Sequence, residues 1–136
     1  MRLKDKVALV TGAAGERGIG RGIAQALADE GAHVVVNDVT KLDKLEQRAA
    51  ELREAGVEAL AAPADVSDRP AVDEMIAKTI SHFGRLDIVV SNAAVCTWEP
   101  FLEITPESVD FILGVNLRGA MNICQAGARQ MVKQAG

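Results

Sequence analysis

Apolar residues follow two rhythms along this chain. Short unbroken runs, Val7-Ala-Leu-Val10, Val34-Val-Val36 and Ile88-Val-Val90, have the length of strands buried on both faces. Between them apolar positions recur every three or four residues, the spacing of helices with one buried stripe. Ile19, Ile23 and Leu27 mark the first such stripe, and Leu42, Leu45, Ala49 and Leu52 the second. Val72, Met75, Ile76, Thr79, Ile80 and Phe83 mark the third. Gly31, Gly56 and Gly84 follow these helices as stop signals. A third strand is expected from about Glu58 to Ala62 and a fourth from Leu86 to Val90. Ser67 or Asp68 is placed to cap the helix after the third strand, with Pro70 in its first turn. Thr105 and Pro106 open a last helix that runs to about Gln134, where Gly114, Asn116 and Gly119 invite a kink or a close approach.

Strand and helix thus alternate four times with short connections. Right-handed crossovers turn that order into an α/β fold with helices on both faces of a parallel sheet. The expectation is a Rossmann-type doubly wound sheet, its (βα)₄ portion, with strand order 3-2-1-4. Residues 1–136 form one domain, with no repeat or linker.

The first unit carries the chemistry. Between strand and helix lies Thr11-Gly-Ala-Ala-Gly-Glu-Arg-Gly-Ile-Gly20, and the second strand ends on Asp38. Glycines there allow a tight turn and let a pyrophosphate approach the backbone, while the helix start offers free N–H groups and the positive end of its dipole. Asp38 lies 20 residues beyond Gly18, the distance at which a carboxylate reaches the adenosine ribose hydroxyls. A carboxylate there favours NAD over NADP by opposing a 2′-phosphate, and Arg17 is the counterweight. No Gly-Lys-Ser/Thr follows the turn, which sets aside a P-loop hydrolase.

A net charge of −4 provides no basic field for nucleic acid or an anionic membrane, and no apolar run is long enough to span a bilayer. Met1 to Lys6 followed by four apolar residues does not form a signal peptide. Cys96 and Cys124 lack metal or disulfide spacing and are expected as buried or half-buried thiols in a reducing cytoplasm. His33 and His82 have no ligand partner at metal spacing and are expected to be structural, so no metal site is assigned. Trp98 either lines a substrate pocket or packs under the long helix.

The motifs resemble those of the short-chain dehydrogenase/reductase family. Thr11-Gly12 with Gly18-Ile19-Gly20 is similar to its T-G-x-x-x-G-x-G cofactor loop, with a two-residue insertion around Gly15-Glu16-Arg17. Asp65-Val66 is similar to the D-V pair that flanks the adenine ring, although Asp65 alone could equally open a turn. Ser91-Asn92-Ala93-Ala94 resembles N-N-A-G, which steadies the sheet and passes along the adenosine ribose and nicotinamide. Val115-Asn116-Leu117 resembles V-N-L, whose asparagine bends the helix and holds a proton-relay water. The resemblance implies NAD(P)-dependent hydride transfer to or from a small carbonyl or alcohol substrate. It assigns Thr11, Gly12, Arg17, Gly18, Ile19, Gly20, Asp38, Asp65, Val66, Asn92 and Ala93 to the cofactor and Asn116 to catalysis. It also implies subunit contacts through the long helix, hence a homo-oligomer.

The family's catalytic tyrosine sits in a Tyr-x-x-x-Lys segment beyond a fifth strand. This chain has no tyrosine and covers the cofactor-binding part only. The expectation is that it is truncated before the catalytic segment and inactive alone, or that it is a non-catalytic dinucleotide-binding module. Gly20→Val is expected to abolish nucleotide binding while leaving the fold largely intact, and Gly15→Ala to be tolerated.

Overall fold

The apolar runs become strands β1 (Val7–Val10), β2 (His33–Asp38), β3 (Ala59–Pro63) and β4 (Ile88–Val90). The computed structural model describes residues 1–39 and 42–135. Helices α1 (Ile19–Asp29), α2 (Leu42–Glu54) and α3 (Arg69–Phe83) follow the first three strands. After β4 come a 3₁₀ turn (Phe101–Glu103) and helix α4 (Pro106–Leu113). A π-helical segment (Gly114–Gly119) then joins α4 to α5 (Ala120–Ala135). All pairings are parallel and the order is β3-β2-β1-β4, the expected 3-2-1-4.

Alternation along the strands separates two cores. Val10, Val34 and Val36 face Ala24 and Ala28 of α1 and Leu45, Ala49 and Leu52 of α2. Val7, Leu9 and Val35 face Val72, Met75 and Ile76 of α3 and Ile123 and Ala126 of α5. With apolar cover on both sides, β1 is buried along its length, as a central parallel strand must be. β4 forms an edge and its three residues are only half-buried.

Several local expectations need correction. The buried face of α1 is Gly20, Ala24 and Ala28; Ile23 and Leu27 flank it, and Ile19 is 77% exposed. Small residues win that face because they let the helix approach the sheet closely. A Cβ on Gly20 would lie 2.4 Å from the Gly12 carbonyl oxygen and 2.5 Å from Asn92 Nδ2. β4 starts at Ile88; Leu86 precedes it, fully buried, with its N–H donated to Gln134 Oε1 (3.1 Å) and its carbonyl accepting from Gln134 Nε2 (2.6 Å). Asp68 occupies the cap position of α3 without a side-chain bond, and the Ser67 hydroxyl donates to Asp65 Oδ1 instead (2.7 Å). Thr105 does cap α4, accepting from Ser108 N–H at 3.2 Å.

The expected disturbance in the long helix is the π segment. It brings Gly119 so close to β3's end that a Cβ there would lie 2.6 Å from Val66 Cγ2. Cys96 and Cys124 are both exposed, not buried, because one lies in the loop after β4 and the other on the outer side of α5. His33 is structural, its Nδ1 accepting from Glu58 N–H and its ring stacked on Phe83. Trp98 is 96% exposed and packs neither in a pocket nor under the helix.

The base of the sheet is pinned by Asp87. Its Oδ2 accepts from Val7 N–H (2.9 Å) and from Arg85 Nε (2.8 Å). The hydrogen bond from Arg85 is the main reason that the Asp87 carboxyl is held below the usual range; Val7 N–H adds to it, and partial burial opposes it.

Candidate functional site

Parallel register brings the carboxyl ends of β1 and β4 level, with Val10 opposite Val90. The glycine turn and the Ser91–Ala94 segment therefore meet at that edge. Thr11 N–H donates to Val90 O (3.1 Å), continuing the ladder one residue past β1. The Thr11 hydroxyl accepts from Asn92 and Ala93 N–H, both at 3.0 Å, and Asn92 Nδ2 also donates to Thr11 O (2.9 Å) and Gly12 O (3.2 Å).

The meeting of these turns leaves a groove of about 470 Å³. Its floor is Gly12, Asn92 and Ala93, and Gly15, Gly18 and Ile19 line the glycine-turn side. Asp38 and Val39 close one end, while Ala64, Asp65 and Val66 face Phe111 and Val115. α1 begins at this groove with no capping side chain and no acidic residue in its first turn. The positive end of its dipole is thus uncompensated, a fit to an anion such as pyrophosphate. Asp38 is fixed by two N–H donors, Ala14 to Oδ2 (3.1 Å) and Val39 to Oδ1 (2.9 Å). Its remaining lone pairs are acceptors for hydroxyl groups.

Of the residues assigned from sequence, Gly12, Gly18, Ile19, Asp38, Asp65, Val66, Asn92 and Ala93 line one groove. Thr11 and Gly20 are buried behind it, where they shape the turn. Arg17 is exposed at the tip of the inserted turn and is not part of the lining. Asp65 Oδ1 accepts from Ser67 N–H (2.8 Å), so Asp65 opens the turn and lines the groove at once. Ala94 does not have positive φ, so alanine replaces the motif's glycine without strain.

Asn116 sits in the π segment and is tied by its side chain to the loop after β4. Oδ1 accepts from Val95 N–H (2.8 Å) and Nδ2 donates to Val95 O (2.9 Å), so the amide ties the loop after β4 to the π segment.

Sequence reasoning missed Asn37, Phe111 and Val115 as lining residues. Asn37 is buried; Nδ2 donates to Ala62 O (2.9 Å) and Ala64 O (3.1 Å), bonds that shape the β3 end of the groove. A polar residue inside the apolar second strand was the available signal. Phe111 and Val115 carry no comparable signal, because their place depends on how α4 crosses the sheet edge.

Known proteins share this fold. The family model described as short chain dehydrogenase matches residues 6–136. Versicolorin reductase 1 of Aspergillus parasiticus is 42% identical over 130 residues, covering 96% of this chain and 49% of that protein. Sorbitol dehydrogenase of Cereibacter sphaeroides is 41% identical over 132 residues, covering 97% of this chain and 49% of that protein. The crystal structure of an NAD⁺-bound xylitol dehydrogenase superposes with a TM-score of 0.91 at 32% identity, covering 98% of this chain and 51% of that one. The chain thus spans about half the length of the curated relatives it matches.

Proposed function

This chain belongs to the short-chain dehydrogenase family, and from that premise we propose that it is the cofactor-binding domain of an NAD-dependent oxidoreductase. The whole enzyme transfers hydride between the nicotinamide and a small carbonyl or alcohol substrate. The observation that carries this reading is the groove between an uncapped helix start and a fixed carboxylate, Asp38. Gly12, Gly18, Ile19 and Gly20 shape or line the pyrophosphate end; Asp38 takes the ribose hydroxyls, and Asp65 with Val66 takes the adenine. Asn92 and Ala93 pass along the adenosine ribose and the nicotinamide. Thr11 supports them from below, and the exposed Arg17 on the inserted turn is assigned to the cofactor with them. When bound, the nicotinamide gives or accepts the hydride.

Asn116 contributes to the proton relay by setting the loop at Val95. The acid–base tyrosine and lysine come from outside these 136 residues, which contain no tyrosine. An unaided binding module is the alternative, favoured by that same inventory. Val109, Leu117 and Met121 are exposed along the long helix, which supports homo-oligomer formation there. Exposed free thiols are compatible with a cytoplasmic setting. Among the described residues, no helix is long and apolar enough to cross a membrane.

Calorimetric titration of NADH and NADPH into the protein tests the reading. NADH is expected to bind more tightly, since a charge pair at 4 Å costs about 1–4 kcal/mol over effective dielectrics of 80 to 20. Tighter NADPH overturns the choice of cofactor. Binding of neither overturns the dinucleotide site itself.

A further inference from the structure

The inserted turn Gly15-Glu16-Arg17 projects from the cofactor loop, and its attachment to the rest of the fold is specific. Arg21, in the first turn of α1, donates through Nη1 to the Glu16 carbonyl oxygen at 2.7 Å. Its other terminal nitrogen, Nη2, donates to Glu51 Oε2 on α2 at 3.1 Å. Arg48, one helical turn before Glu51, donates to that same oxygen. The Arg48 side chain is only 5% exposed, so this charge is buried beneath the turn and is matched by Glu51. Ala14, Gly15 and Glu16 lie across Lys44, Gln47 and Arg48 over a shared hollow. Gly18 N–H closes the turn onto Gly15 O at 3.3 Å.

A glycine-flanked surface turn would ordinarily sample many conformations, and a cradle that must be ordered on binding loses affinity to that ordering. We propose that Arg21, Glu51 and Arg48 are positioning residues that hold the inserted turn preformed, so that α2 sets how well the loop receives a pyrophosphate. This rests on the dinucleotide reading of the groove. The link is geometric: Gly15 and Gly18 both line the groove, and the brace fixes the segment between them. Glu51 is its centre, because it joins both arginines and therefore both helices.

Glu51→Gln tests this, since it keeps the side-chain length and removes the charge that gathers the two guanidinium groups. Glu46→Gln is the control, because it removes the Arg53–Glu46 pair on the same helix without touching the turn. Two readouts are taken from each purified protein. One is limited trypsin cleavage after Arg17, followed by mass spectrometry, which reports the order of that turn and no other. The other is affinity for ADP-ribose compared with adenosine, which isolates what the phosphates contribute. With Glu51→Gln, cleavage after Arg17 should rise several-fold and ADP-ribose affinity should fall about 5- to 10-fold, with adenosine unchanged. With Glu46→Gln neither should move. Equal behaviour of the two variants, or a loss shared equally by adenosine, overturns the brace as a positioning device. If the unsubstituted protein binds no ADP-ribose, the function proposed above fails, and the brace then fails as a cofactor device while cleavage still reports whether it orders the turn.

Discussion

Thr11 and Asn92, 81 residues apart, are joined by two hydrogen bonds across the carboxyl ends of β1 and β4, both donated by Asn92 and accepted by Thr11. The threonine hydroxyl accepts the N–H groups that turn the chain away from β4, and the asparagine amide caps carbonyls of the glycine turn. Thr11→Val keeps the shape and leaves those N–H groups without their acceptor. It should cost about 1–3 kcal/mol of stability. Asn92→Ala should cost a similar amount, and the double variant less than the sum, because both remove one shared unit. Urea unfolding of the four proteins measures the coupling; strict additivity would show that the two residues act apart.

Gly20 and Gly15 separate the buried from the open side of the cofactor loop. Gly20→Ala places a methyl group 2.4 Å from the Gly12 carbonyl oxygen, and the nearest atom to a Cβ on Gly15 is 3.7 Å away. Gly20→Ala should abolish ADP-ribose binding and also lower stability by about 1–3 kcal/mol, since it pushes apart the Thr11–Asn92 contact. Gly15→Ala should bind normally. Calorimetry and thermal melting of both variants decide, and equal loss would show that position 15 tolerates a side chain no better than position 20.

Asp87 makes stability depend on acid. Its folded pKa is depressed by Arg85, so its contribution is present above the unfolded value of about 3.9 and is lost as pH falls through the folded value. Asp87→Asn should destabilise the protein near neutrality by about 1–2 kcal/mol, through loss of charged hydrogen bonds to Arg85 and Val7. The difference from the unsubstituted protein should shrink as pH drops below 4. A gap that stays constant down to acid unfolding would remove Asp87 as its source.

The 136-residue chain should bind NAD yet transfer no hydride. An amide does not titrate in a useful range, so Asn116 cannot replace a tyrosine, and absent acid–base help costs about 10²–10⁴ in rate. Loss of reduced-nicotinamide absorbance with a panel of ketones and quinones measures this. Turnover clearly above the protein-free rate would falsify it and point to another proton donor.

The architecture was legible because apolar runs and three-and-four stripes alternate cleanly and a parallel sheet needs crossovers of one hand. The glycine turn and Asp38 were legible for the same reason, being local in sequence. What escaped was either non-local or carried by residues without hydrophobic contrast. Ile19, Ile23 and Leu27 mark the α1 stripe in sequence, although Gly20, Ala24 and Ala28 form its buried centre, because close approach rewards absence of side chain. Asn116 could be found, but not its partner Val95, 21 residues away. The Arg21–Glu51 bond spans 30 residues and joins two helices whose facing sides periodicity alone does not orient.

Trp98 stands almost wholly in solvent on the loop above the sheet edge, and the chain has no second tryptophan and no tyrosine. Nearly all of its ultraviolet emission therefore comes from one indole already surrounded by water. Unfolding leaves that indole in the same surroundings, so emission wavelength is a poor gauge of denaturation here. Burial of the loop, by another subunit or by closure over a ligand, would instead shift the spectrum to the blue. The colour of this protein's fluorescence is a reporter of company rather than of folding.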